Sequence, residues 1–199
     1  DMDSRDILTI KGLIRRGEAR TASSYNNIPL DRVHFLDLPF YETGKIQKNP
    51  ISEADVEIVR NLLREIKPHQ IFVAGDLADP HGTHRVCTDA VFAAVDLEKE
   101  EGAKWLKDCR IWMYRGAWAE WEIENIEMAV PISPEELRAK RNSILKHQSQ
   151  MESAPFLGND ERLFWQRSED RNRGTAALYD QLGLACYEAM EAFVEYVPL

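Results

Sequence analysis

The sequence predicts a doubly wound α/β domain, and three observations predict it. The run "QIFVAG" at 70–75 is continuously apolar rather than alternating, as expected of a strand covered on both faces in a parallel sheet. The segments on either side of it carry apolar residues at helical spacing, so the order is helix, strand, helix. Neither an internal repeat nor a low-complexity linker breaks the 199 residues, so a single domain over 1–199 is expected.

Each element has its own warrant. Residues 5–24 place Ile7, Ile10, Leu13 and Ile14 on one helical face, and "NNIPLD" follows as a turn. "RVHFLDLPF" at 32–40 is dense in β-branched and aromatic residues and reads as a strand ended by Pro39. "SEAD" at 52–55 supplies a helix cap, and the apolar stripe from Val56 to Ile66 stops at Lys67-Pro68. After "QIFVAG" a helix runs from about Thr83 to Lys99, and "RIWMY" and "IEMAVPI" add short strands. "SPEE" at 133–136 opens a helix expected to reach about Gln150. The tail from 160 onward is expected to be mainly helical, with "RSEDRNR" at 167–173 as a solvated or subunit-contacting face.

Composition narrows the function. A hydrophobic content of 44% can form a real core, and a net charge of −9 argues against general affinity for nucleic acid or anionic membranes. Cys87, Cys109 and Cys186 are odd in number and widely spaced, which indicates free thiols in a reducing cytoplasm rather than a disulfide framework or a thiolate zinc site. No apolar run is long enough to span a bilayer, and the acidic start "DMDSRDIL" does not read as a secretory signal. An Asp start leading almost directly into a helix suggests a piece of a longer chain.

Chemistry concentrates in "DLADPHGTHR", 76–85, directly behind the central strand, where open α/β sheets bind ligands. His84 falls in the first turn of the next helix, where the dipole helps keep an imidazole neutral and able to bind metal. Asp76 or Asp79 can fix a histidine tautomer. Two histidines do not complete a catalytic zinc site, and an Asp-Pro turn before a polar helix start explains the spacing equally well. Cys87 extends the series to H-x-x-H-x-x-C, yet its helical register with Val91 and Ala94 favours a core thiol. His34 and Asp37 would point to opposite faces of a strand. His147 is read as capping its helix rather than as catalytic. The five tryptophans are read as core more readily than as a sugar platform.

With its surroundings the loop resembles the second conserved motif of the LmbE/PIG-L-like zinc-dependent de-N-acetylases. "DPHGTHR" has the framing aspartate, both histidines and the following arginine; Gly82-Thr83 departs from the usual Pro-Asp pair. "RRGEARTASSYNNIP" is similar to the family's Arg-x-x-Glu helix, "VHFLDLPF" to the strand after it, and "KHQSQ" to its H-x-S-Q helix end. Together with "YRGAWAEW" and "FWQRSEDRNR", the chain looks most like a subgroup fused behind a glucosamine-6-phosphate deaminase-like domain. The family's His-Pro-Asp-Asp motif is absent here.

The resemblance implies a Rossmann-like three-layer domain with a mostly parallel sheet, incomplete at its N-terminus by roughly the first strand-helix unit. It implies that the full-length parent uses zinc to remove an N-acetyl group from an amino sugar. His84 would be a metal ligand, His81 would stabilise the oxyanion and protonate the leaving amine, Asp79 would orient a histidine, and Arg15 would reach substrate hydroxyls or a phosphate. An ion pair with Glu18 accounts equally well for Arg15. A homo-oligomer and an upstream sugar-phosphate deaminase-like domain are the expected partners. The alternative is a non-catalytic module for oligomerisation or regulation of such an enzyme.

Overall fold

A computed structural model describes residues 4–41, 49–75, 82–117, 119–151 and 160–198. Its principal elements are helices α1 (Arg5–Tyr25), α2 (Glu53–Ile66), α3 (Thr83–Glu100), α4 (Pro134–Ile144) and α5 (Phe164–Gln181), with strands β1 (Gln70–Ala74), β2 (Arg110–Tyr114), β3 (Met128–Ile132) and β4 (Ala189–Tyr196). The strands form one mixed sheet in the order β1-β2-β4-β3. β1 runs parallel to β2, with Phe72 opposite Trp112, and β2 runs antiparallel to β4, with Met113 opposite Val194. Pro131 lies in β3, at one end of the order, where its missing N–H is tolerated. The fold is α/β, as the sequence predicts.

The chain packs as two compact units, one of Asp1–Phe35 with Val130–Glu191 and one of Leu36–Ala129 with Ala192–Leu199. The core of the second unit joins Val56, Val59 and Leu63 of α2, Val73 of β1, Ala90, Ala94 and Val95 of α3, and Ile111 of β2. Ala90 and Ala94 have no exposed surface, and their small side chains let α3 lie close to its neighbours. α2 begins where the sequence places it. Ser52 and Asp55 form a reciprocal capping box, and buried Asp55 also accepts a bond from the Phe40 N–H at 3.0 Å. Burial pushes the Asp55 carboxyl up, and these donors outweigh it, so its pKa ends below the ordinary value. The helix stops at Lys67, which adopts a left-handed conformation (φ 49°) before Pro68.

The first unit is organised around charge. Lys140 of α4 donates to Glu191 and Asn172 at 2.7 Å each, Arg171 of α5 also pairs with Glu191, and Asn172 donates to the Met190 carbonyl at 2.7 Å. Burial raises the Glu191 carboxyl, and the two cations more than offset that, leaving its pKa lowered. Glu169, which unlike the half-buried Glu191 is fully enclosed, receives Arg141 at 2.6 Å and Arg173 at 3.1 Å. "RSEDRNR" is therefore not a solvated face: Ser168, Glu169, Arg171 and Asn172 are all buried. The alternation of sign that suggested a wet surface instead reflects pairing with α4 and β4.

Three other expectations need correction. Residues 33–38 join no ladder among the described residues and lie between short 3-10 turns at Leu30–Arg32 and Pro39–Tyr41. β propensity makes a strand only where a partner supplies the hydrogen bonds, and Asp37 (φ 51°) leaves the extended region besides. α4 ends at Ile144 rather than near Gln150, because His147 leaves the helical region (φ −87°, ψ 55°). The tail is not mainly helical after α5: Ala189–Tyr196 is a strand whose Ala189 and Ala192 are fully buried.

Replacing Glu191 by Gln removes the carboxylate that balances Lys140 and Arg171. Chemical denaturation should show a loss of about 3 kcal/mol or more, the usual cost of stranding a buried charge.

Candidate functional site

The carboxyl end of β1 is held from two elements. The Thr88 hydroxyl, in the second turn of α3, donates to the Ala74 carbonyl at 2.7 Å, and the Gly75 N–H donates to the Tyr114 carbonyl at 2.8 Å. Arg115 donates to the Gly75 carbonyl at 3.2 Å and to the Ala119 carbonyl at 2.7 Å, while its guanidinium lies 4.5 Å from the centre of the Trp121 ring. A Cβ on Gly75 would sit 2.6 Å from the Met113 Cβ and 2.7 Å from Trp121 Cζ2, so this position requires glycine for close approach. Sequence reading missed Thr88, Arg115 and Trp121 as anchors. The available signal was "YRGAWAEW", an arginine-tryptophan segment directly after a strand.

α3 starts at Thr83, with Gly82 (φ 68°) as its N-cap. His84 thus lies in the first turn, as expected, and is exposed. Asp76, Asp79, Pro80 and His81 lie outside the described residues. Cys87 is exposed rather than a core thiol. The buried positions of α3 are Thr88, Ala90, Ala94, Val95 and Glu98; Cys87 shares the helical register of Ala94 and Glu98 but lies ahead of Thr88, the first buried residue of the helix. Of the tryptophans, Trp112 is buried and Trp105, Trp121 and Trp165 are half-buried. Trp118 lies outside the described residues.

In the first unit, two segments far apart in sequence meet. The Glu18 carboxylate accepts the Ser149 N–H at 2.7 Å and the Ser149 hydroxyl at 2.6 Å. Burial pushes the Glu18 carboxyl up; the two Ser149 bonds and the charges of His147 and Arg15 act against it, and the pKa ends lowered. Arg15, on the exposed side of α1, therefore influences Glu18 through its charge, while the carboxylate oxygens are given to Ser149. The last turn of α4 is closed by backbone bonds, Lys146 N–H to Ser143 O at 3.1 Å and His147 N–H to Ile144 O at 3.0 Å, so the His147 ring is not its cap. Nearby, Asn26 donates to Ser143 at 2.6 Å, beside a cleft of about 400 Å³ that also meets Glu136 and Lys140.

No three His, Cys, Asp or Glu side chains converge on a possible metal position among the described residues. His84 alone does not fit a zinc ion, which usually takes three protein ligands at a catalytic site. His84 and Arg15 belong to different compact units. No helix among the described residues is long and apolar enough to cross a membrane.

Ser149→Ala should raise the Glu18 pKa toward the ordinary carboxylate range in an NMR titration. A lowered folded pKa contributes stability that is present above the unfolded value and lost as pH falls through the folded one. The variant should therefore lose part of its stability near neutral pH and respond less to acidification than the parent, read by thermal melts across pH 3–7.

Comparison with known proteins places the fold and part of the context. No family model matches the chain. It is 98% identical, over all 199 residues, to a glucosamine-6-phosphate deaminase-like protein of Bacteroides thetaiotaomicron, and it spans 30% of that protein's length. Among solved structures it is similar to GalB, the 4-carboxy-2-hydroxymuconate hydratase of Pseudomonas putida (TM-score 0.63, 14% identity, 94% of this chain and 72% of that one). It is also similar to the conserved protein TT1542 of Thermus thermophilus (TM-score 0.61, 19% identity, 94% and 74%). A third similar structure is a zinc-inhibited form of teicoplanin deacetylase Orf2 (TM-score 0.54, 17% identity, 92% and 74%). At these identities the likeness is one of fold: the chain has the α/β fold shared by a hydratase and a deacetylase.

Proposed function

We propose that the longer polypeptide to which this chain corresponds hydrolyses an N-acetyl group from an amino sugar or amino-sugar conjugate. Residues 1–199 are proposed to form one domain that lacks roughly its first strand-helix unit. The observation that carries this reading is the Glu18–Ser149 contact. It joins the Arg15-x-x-Glu18 helix to the "KHQSQ" segment, two stretches that resemble the de-N-acetylases independently and lie 131 residues apart. The fold shared with a deacetylase supports it, and the deaminase-like name of the longer relative supports amino-sugar chemistry.

Hydrolysis adds water across the acetamide C–N bond: the acyl carbon takes the hydroxyl to become acetate, and the nitrogen takes the proton. His81 is assigned the delivery of that proton and the offset of charge on the carbonyl oxygen, with Asp79 orienting one of the two histidines. Arg15 is assigned contact with a substrate hydroxyl or phosphate. His84 is assigned one ligand position toward zinc, and the described residues do not by themselves complete a three-ligand set.

Because the fold also serves a hydratase, and can equally be kept as a non-catalytic module beside a sugar-phosphate enzyme, the test is made on the full-length polypeptide. Acetate release should be seen with N-acetylglucosamine or its 6-phosphate. His81→Ala should lower turnover by about 10²-fold or more, His84→Ala should lower both metal content and turnover, and residues 1–199 alone should retain little of either. Water addition without acetate release would favour a hydratase. Absence of turnover, with loss of the attached enzyme's assembly when the domain is deleted, would favour the module.

A further inference from the structure

α1 is an unusually exposed helix for the residues it carries. Ile7, Ile10 and Ile14 recur at i, i+3 and i+7, with Leu13 one turn from Ile10, a spacing that forms an apolar stripe of the kind normally buried. Yet these four side chains are 45–63% exposed, and Ala22 is the one buried residue of the 21 in the helix. The ties that hold α1 come from its second half, where Glu18 meets Ser149, Arg16 and Arg20 lie over Phe35, Tyr25 meets Asn142 and Asn26 meets Ser143.

We infer that the Ile7–Ile10–Leu13–Ile14 face of α1 is the docking surface for a segment of the longer polypeptide that lies outside residues 1–199. Two observations select this occupant. The matching relative is more than three times as long as the chain, which spans 30% of it. The structures that share the fold each carry about a quarter of their length with no counterpart here, since the chain accounts for 72–74% of them. A second copy is a poorer fit, because four half-exposed side chains fall well short of the roughly 800 Å² per partner that a standard interface buries. The inference stands apart from the hydrolase reading and survives if the domain proves non-catalytic.

A photo-crosslinking p-benzoylphenylalanine placed at Ile10 of the full-length protein tests it, with the same probe at Gly12 as the control. Gly12 lies on the far side of α1, where an added Cβ meets nothing within 4 Å. The expected result is an intramolecular link from position 10 to a peptide outside 1–199, in at least ten-fold higher yield than from position 12. A link confined to 1–199, a link to a second copy, or equal yields from both positions would overturn it. Hydroxyl-radical footprinting provides a second reading without substitution. Leu13 and Leu182 are both 63% exposed here, and the inference requires Leu13 to oxidise at least five-fold more slowly in the full-length protein. Equal rates would also overturn it.

Discussion

The end of β1 is the constraint on which the candidate site depends. A parallel strand leaving its sheet must satisfy its last backbone groups where no neighbouring strand continues, and buried carbonyls left without donors are costly. Here Thr88 takes the Ala74 carbonyl, Arg115 takes the Gly75 carbonyl, and Tyr114 accepts the Gly75 N–H. Thr88 ties α3 to the strand, and with it the first turn that carries His84. Arg115, stacked on Trp121, ties the strand end to the segment after β2. The stretch with the most suggestive chemistry in the sequence is thus bounded by a fixed strand end and a fixed helix start.

The first unit solves a different problem with charge. Its α5 helix turns Glu169, Arg171 and Asn172 inward, and each finds a partner on α4 or β4. Burying ions is tolerable only when opposite charges and hydrogen bonds replace water, which Lys140, Arg141 and Arg171 provide. The same logic, at a more exposed position, holds Glu18 on Ser149. That contact fixes the segment after α4 to α1 and sets His147 and Arg15 around one carboxylate.

Shared fold and shared reaction are separate matters here. A hydratase and a deacetylase have the same architecture as this chain at similarly low identity. The proposal of amide hydrolysis therefore rests on named residues rather than on the fold: the histidines of "DPHGTHR", Glu18 and Ser149.

The sequence alone determined the elements whose signals are local. The Ser52–Asp55 box, the stop at Lys67-Pro68, the strand at "QIFVA" and the start of α4 at "SPEE" needed no distant partner and stand in the structure, but the strand is not covered on both faces as its continuous run predicted, since Phe72 is 49% exposed. It also singled out the Arg15–Glu18 and "KHQSQ" segments, but not that they touch. Tertiary structure decided whatever depended on a partner. Residues 33–38 have strand composition but no ladder among the described residues, Ala189–Tyr196 became a strand by pairing with β2, and Glu169 and Arg171 of "RSEDRNR" turned inward because α4 and β4 offered counter-charges. Cys87 shares the register of buried Ala94 and Glu98 but precedes the first buried residue of α3, so periodicity alone did not show its exposure. Local propensity is written in neighbouring residues, whereas burial, pairing and ionic balance are set by residues distant in the sequence.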